Sequence, residues 1–146
     1  MRWYLLLMFA GQIVNLFGQE TGDRDFWQSL DENERIVFIK GVYSGLTESL
    51  RILSEEAIRQ KNQDRYWVPP FVHEYSTRRL KEFYAEEIGY DYVLIAGLLD
   101  AFYSNPDNAH IPIMHALQII ILHQAGETRR ANELLLIKQK EVLKGR

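Results

Sequence analysis

A stripe of apolar residues in the first half of the chain constrains the fold most strongly. Its members recur at alternating steps of three and four residues: Ile36, Ile39, Tyr43, Leu46, Leu50, Leu53 and Ala57. Side chains at this spacing share one face of an α-helix. Asp31 and Glu34 precede the stripe in the order of a capping box, in which each side chain accepts a backbone N–H. The sequence therefore predicts a long amphipathic helix over about residues 32–60.

A second, more apolar segment predicts the central helix of the core. Its apolar members are Ile113, Met114, Ala116, Leu117, Ile119, Ile120, Ile121 and Leu122. Pro112 suits the first helical position, and Gly126 suits the position just past the end. At about 14 residues the segment is too short to cross a bilayer. We therefore expect an apolar helix over about residues 112–125.

Three further helices complete the predicted fold. One is expected from Ser76, interrupted at Gly89. The next is capped by Asp91, and the last begins at Thr128. No segment alternates with the period of two that is typical of strands. The composition, 47% hydrophobic over 146 residues, fits one globular domain. The predicted fold class is all-α, a single-domain bundle of about five helices.

Residues 1–18 have the features of a signal peptide. Arg2 provides a positive charge, Trp3 to Ala10 form an apolar run, and Gly18 lies near the expected cleavage site. An uncleaved membrane anchor is the alternative, but the apolar stretch is short and is interrupted by polar residues. We therefore expect an exported protein, periplasmic or extracellular. Residues 19–146 would form a single helical domain with no stable membrane span.

Charge and cysteine content narrow the possible partners. The chain has 17 basic and 20 acidic residues, and loss of Arg2 with the leader leaves 16 basic residues and a net charge of −4. We therefore expect no electrostatic attraction to nucleic acid or to anionic lipid. With no cysteine, the chain has neither disulfides nor thiolate metal sites.

Two glycines lie inside the predicted long helix. Gly41 and Gly45 each cost about 1 kcal/mol in helix propensity relative to alanine. Small residues at this spacing allow the backbone of a crossing helix to approach closely. We therefore expect a helix crossing at these positions, with a ligand that needs room as the alternative.

The connection Tyr66-Trp67-Val68-Pro69-Pro70-Phe71 combines aromatic residues with two prolines. The prolines exclude a helix and favour an extended backbone. The aromatic side chains either pack over the domain or form an exposed docking patch. We expect packing, because large apolar groups gain more from burial.

The corner between residues 100 and 113 holds the only constellation that suggests chemistry. Asn105-Pro106-Asp107-Asn108 predicts a tight turn. Asp100, His110 and Asn108 could form a hydrolytic site, with His110 as general base and Asp100 orienting it. The alternative, which we expect, is that Asp100 and the asparagines accept backbone N–H bonds and hold the turn together.

Other catalytic and metal-binding patterns do not match. His73-Glu74 lacks the second histidine of a zinc-binding H-E-x-x-H helix, and His115 and His123 are poorly aligned for chelation. The chain contains neither a phosphate-binding loop nor a dinucleotide glycine pattern. We therefore predict no cofactor and no metal.

Several of these motifs together resemble a family of small uncharacterised exported bacterial proteins. They are Trp27-x-x-Leu30, Gly41-x-x-x-Gly45, the helix end Asp100-Ala101-Phe102-Tyr103, and Asn108 followed by Ile111-Pro112-Ile113. The resemblance implies a helical exported domain and no particular reaction.

Three functions are therefore considered. The first is a non-catalytic binding or interaction domain of the cell envelope or extracellular space, with an unknown protein or small-molecule partner and an unknown oligomeric state. The second is a hydrolase with its site at the Asp100/Asn108/His110 corner. The third is a stress-type or solubilising factor of the envelope. The sequence favours the first.

Overall fold

The computed structural model describes residues 23–84 and 90–144, so the predicted signal peptide lies outside the described residues. These residues form helices and no strand, which confirms the all-α prediction. In chain order the elements are α1 (Asp23–Ser29), α2 (Glu32–Gln63), α3 (Phe71–Lys81), α4 (Tyr92–Ser104), a short 3-10 turn (Pro106–Asn108), α5 (Ile113–Gln124) and α6 (Thr128–Lys144). Within this part of the chain, no helix is both long and apolar enough to cross a membrane.

Helix α5 lies at the centre of the core, as predicted for residues 112–125. It packs against α4 on one side and α6 on the other. Its buried residues are Ile113, Ala116, Leu117, Gln118, Ile119, Ile120, Ile121 and Leu122. An amphipathic helix buries one stripe, whereas a helix that is apolar on most sides must be covered on most sides. The apolar composition of α5 therefore sets its central position.

Helix α2 confirms the predicted long helix and extends three residues beyond the expected end. The capping box is present: the Asp31 carboxylate accepts the Glu34 N–H, and the Glu34 carboxylate accepts the Asp31 N–H, both at 2.8 Å. Ile39, Tyr43 and Leu46 are buried, and the other members of the stripe are partly buried. At about 1.5 Å per residue, the 32 residues of α2 span about 48 Å.

The second half of α2 extends away from this core. Its buried residues all lie in the first half, and α3, which also packs against α2, has no buried residue. His73 Nε2 forms a hydrogen bond of 2.9 Å with the Leu53 carbonyl oxygen, and this bond connects α3 to α2. We call residues 47–81 the hairpin. It consists of the second half of α2, the loop 64–70 and α3.

Several predicted helix ends are confirmed. Asp91 caps α4 by accepting the Leu94 N–H at 2.9 Å. Gly126 follows α5 with φ of 75°. Its N–H donates to the His123 carbonyl and the Glu127 N–H donates to the Leu122 carbonyl, as in a Schellman motif. Pro112 caps α5 from just outside the helix, one position before the predicted place.

The start of α3 differs from the prediction. The helix begins at Phe71, five residues before Ser76, and ends at Lys81. Pro70 occupies the cap with φ of −59°, and the first N–H groups of a helix need no intrahelical acceptor. The two prolines therefore exclude a helix only up to Pro70, and they initiate one at the next residue. Gly89, the predicted break, lies outside the described residues.

The predicted helix crossing at Gly41 and Gly45 is wrong. A Cβ atom built on either glycine meets no heavy atom of the described residues within 4 Å. Both residues are exposed on the side of α2 away from Tyr43 and Leu46. Helical spacing alone does not distinguish a small residue at a crossing from a small residue facing solvent, and only the packing of α2 decides between them.

Gly41→Ala and Gly45→Ala should therefore each stabilise the fold by about 0.5–1 kcal/mol, because alanine restores helix propensity without a clash. Urea unfolding measures the change. Gly126→Ala is the matched control and should cost about 1 kcal/mol, because its φ of 75° is unfavourable for a residue with a Cβ. A loss of stability on substituting Gly45 would mean that another part of the molecule covers this face.

Candidate functional site

Asp100 joins three helices at one end of the bundle. Its Oδ1 accepts the Trp27 indole N–H at 2.7 Å and an Arg35 guanidinium N–H at 3.0 Å. Arg35 lies over the Trp27 ring at 5.5 Å and also donates to the Trp27 carbonyl oxygen. Trp27 is fully buried, so its indole N–H needs an acceptor. Asp100 therefore supplies the acceptor that allows α1 to pack against α2 and α4.

Asn108 joins the corner to the last helix. It is buried, its amide nitrogen donates to the Phe102 carbonyl oxygen, and its amide oxygen accepts from Gln139 Nε2, both at 2.9 Å. Nearby, the buried Tyr103 hydroxyl donates to the Ile111 carbonyl oxygen at 2.7 Å. These bonds connect the end of α4 to the start of α5 and to α6. Asn108 therefore has a structural role across three elements.

The structure does not bring the three candidate residues of the corner together. Asp100 bonds α1 and α2, Asn108 bonds α4 and α6, and His110 is exposed in the turn between them. Among the described residues, no hydrogen bond connects any two of the three. Asn105 accepts the Asp107 N–H as expected for the turn. The same expectation is wrong for Asp100 and Asn108, whose side-chain oxygens accept from the side chains of other helices and not from backbone N–H groups.

Asp100→Ala should lower the free energy of unfolding by about 1–3 kcal/mol, because it leaves the buried Trp27 N–H without its acceptor. Asp100→Asn should cost less, because its amide oxygen can still accept that bond. Urea unfolding followed by tryptophan fluorescence measures both. Equal losses for the two variants would show that the ion pair with Arg35, and not the indole bond, is the main contribution.

Asn108→Ala should cost about 1–3 kcal/mol, because it unpairs the Phe102 carbonyl and the Gln139 amide. His110→Ala is the control within the same turn and should change stability by less than about 0.5 kcal/mol. Thermal unfolding of the two variants gives the comparison. These structural roles would be contradicted if Asn108→Ala left the stability unchanged while His110→Ala lowered it.

A second polar cluster surrounds Glu82 on the other side of the core. Glu82 accepts from the buried Gln118 at 2.6 Å and forms ion pairs with Arg79 and Arg130, each at 2.8 Å. Arg130 also pairs with Glu127. A cavity of about 620 Å³ opens beside this cluster between α3, α5 and α6. The carboxylate thus accepts from the buried side-chain amide in the middle of α5 and connects it to the end of α3 and the start of α6.

Burial shifts the titration of several groups in the core. Burial raises the pKa of Tyr43 and of Tyr103 above the ordinary value for tyrosine. Burial, with Lys138 nearby, lowers the pKa of His115. Of these groups only Tyr103 belongs to the corner, and its hydroxyl donates to the Ile111 carbonyl oxygen, so these shifts do not point to acid–base chemistry there.

The hairpin carries an exposed apolar surface, which we call the hairpin patch: Tyr66, Val68, Phe71, Val72 and Tyr75. The first four are between 67% and 83% exposed, and Tyr75 is 44% exposed. Phe71 and Tyr75 stack at 5.9 Å. The expectation that Tyr66 to Phe71 pack over the domain is therefore wrong for most of the segment. Only Trp67, which contacts the His73 ring edge-on, and Pro69 are partly buried.

Charge is unevenly distributed along the chain, and the hairpin end is its basic part. Residues 59–81 contain six basic and two acidic residues, a net charge of +4, whereas the rest of the chain contains 11 basic and 18 acidic residues, a net charge of −7. Arg65 lies over the Tyr66 ring at 5.9 Å and Arg78 over the Tyr75 ring at 5.8 Å. Basic groups therefore border the hairpin patch.

The comparisons with known proteins reveal no relative. No protein-family model matches the chain, and the searches of curated proteins and of solved structures found no similar protein. Among the described residues, no group of three or more histidine, aspartate or glutamate side chains is placed to hold a metal ion.

The sequence favours packing of Tyr66 to Phe71 over an exposed docking patch, although it also carries a signal for the patch. Lys61, Arg65, Arg78, Arg79 and Lys81 flank the aromatic segment, and a buried segment is rarely surrounded by so many charges. The role of Glu82 left no such signal, because its partners Gln118 and Arg130 are distant in the sequence.

Proposed function

We propose that this protein is a small exported helical domain that binds a partner in the cell envelope or extracellular space, without catalysis. The leader-like residues 1–18 support export, and the exposed apolar surface of the hairpin supports binding. The hairpin patch is the observation that carries the proposal.

The cost of exposing this surface supports a binding role. Large apolar side chains that remain in water forgo about 1.5–3 kcal/mol each relative to full burial. Single exposed apolar residues are common, but contiguous apolar patches mark interaction sites. Tyr66, Val68, Phe71 and Val72 lie within seven residues of one another on the projecting end of the hairpin. A partner that covers them would recover part of that free energy.

The hydrolase alternative receives less support from the geometry. Asp100 and Asn108 use their polar atoms on Trp27, Arg35, Phe102 and Gln139. A general base must lie within hydrogen-bonding reach of the group it activates, and an orienting carboxylate must reach that base. His110 has no such contact with either residue, so the corner lacks the arrangement that the hydrolase hypothesis requires.

Export predicts that the leader is removed in cells that secrete the protein. N-terminal sequencing of protein from the periplasm or the medium should begin close to Gln19. A chain with the leader residues Leu5, Leu6 and Leu7 each changed to Asn should remain in the cytoplasm, because the apolar run is what the export machinery recognises. Intact Met1 on protein from the cytoplasm alone would contradict the export proposal.

A further inference from the structure

We infer that the hairpin patch docks on the interface of an anionic lipid bilayer. The inference rests on the proposed binding role and names the partner of that same surface. Its basis is the combination of highly exposed aromatic and aliphatic side chains with adjacent positive charge on the hairpin.

The shape of the patch favours a bilayer over a protein partner. Tyr66 is 83% exposed, Phe71 is 77% exposed and Val68 is 74% exposed. Side chains with so much free surface project outward, because the walls of a groove would cover part of each of them. A projecting surface needs a matching pocket on a protein, but a bilayer interface deforms around it.

The chemistry of the patch also matches the interface. Tyrosine and tryptophan are enriched at the boundary between headgroups and acyl chains, where the ring is apolar and the polar edge stays wet. Pro69 and Pro70 have no N–H, so this part of the loop has fewer backbone donors that would lose water on entering the interface. The loop is therefore suited to shallow insertion.

The surrounding charge supplies electrostatic attraction. Arg65 and Arg78 lie over two rings of the patch, Lys61 and Lys81 are exposed elsewhere on the hairpin, and residues 59–81 carry a net charge of +4 on a chain that is otherwise acidic. Anionic lipid attracts basic residues that lie within about a Debye length of its surface. The acidic remainder of the protein is repelled, which favours an orientation with the hairpin towards the membrane.

Tryptophan quenching tests this docking directly. The full chain has Trp3, Trp27 and Trp67, and Trp3→Phe leaves one fully buried tryptophan and one in the hairpin loop. Vesicles of equal parts phosphatidylcholine and phosphatidylglycerol, with bromine on the acyl chains near the headgroup, should quench Trp67 and leave Trp27 shielded. Absence of quenching would overturn the inference, even if residues 1–18 hold the protein on the vesicle.

Matched variants then separate the hairpin patch from other apolar surfaces. Phe71→Ser with Val72→Ser should weaken the vesicle affinity, read from Trp67 quenching, by about tenfold or more, because two large apolar groups no longer insert. Leu136→Ser with Leu143→Ser removes two exposed residues of α6 and should leave the quenching unchanged. Equal effects of the two pairs would contradict docking through the hairpin.

Charge reversal gives a second matched pair. Lys61→Glu with Arg65→Glu should also weaken the affinity by about tenfold or more. Lys140→Glu with Lys144→Glu makes the same change of net charge on α6 and should have little effect.

Two other occupants of the hairpin patch would overturn the inference. One is a second copy of the chain, seen in sedimentation as a dimer that Phe71→Ser dissociates. The other is residues 1–18, whose contact with the patch would prevent quenching. Failure of export leaves this vesicle measurement unaffected, so the two proposals can fail separately.

Discussion

Burial of α5 is the constraint on which the rest of the structure depends. Eight of its 12 residues are buried, so other helices must cover it on most sides. Helices α4 and α6 provide this cover, and the first half of α2 packs on α4. Gln118 is the single polar residue among the buried eight, and Glu82 accepts its amide N–H. That carboxylate is only 12% exposed and is paired with two arginines, since a mostly buried charge left alone would cost on the order of several kcal/mol.

The polar residues of the corner serve the same core. Trp27 closes one end of the bundle, and its buried N–H would be costly without the Asp100 carboxylate. Asn108 satisfies a carbonyl at the end of α4 and a side chain of α6. Residues that suggested a hydrolytic site are thus needed to bury polar groups at helix ends. The same residue types serve catalysis and turn architecture, so only their partners distinguish the two.

The hairpin follows from a mismatch of length between α2 and the core. At 1.5 Å per residue, α2 is about 48 Å long and α5 is about 18 Å long. About half of α2 therefore extends beyond the core that is built around α5. Helix α3 covers one face of this extension without burying any residue fully. The net charge of the whole chain hid the basic character of this end, because the acidic body outweighs it. Binding to an anionic interface depends on the charge of the surface that meets it. That charge depends on which basic residues the fold of the hairpin places together.

Local physics determined much of this protein from its sequence. The stripe from Ile36 to Ala57, the capping box at Asp31 and the positive φ at Gly126 depend on neighbours within a few residues, so periodicity and cap chemistry were sufficient to predict them. Tertiary structure alone decided which face of α2 its glycines occupy, whether Tyr66 to Phe71 are covered, and which partners Asp100 and Asn108 bond. Each of these depends on residues tens of positions away, such as Trp27 with Asp100 and Asn108 with Gln139. Contacts at that separation form only when the helices pack, and a helical pattern does not specify which helices meet.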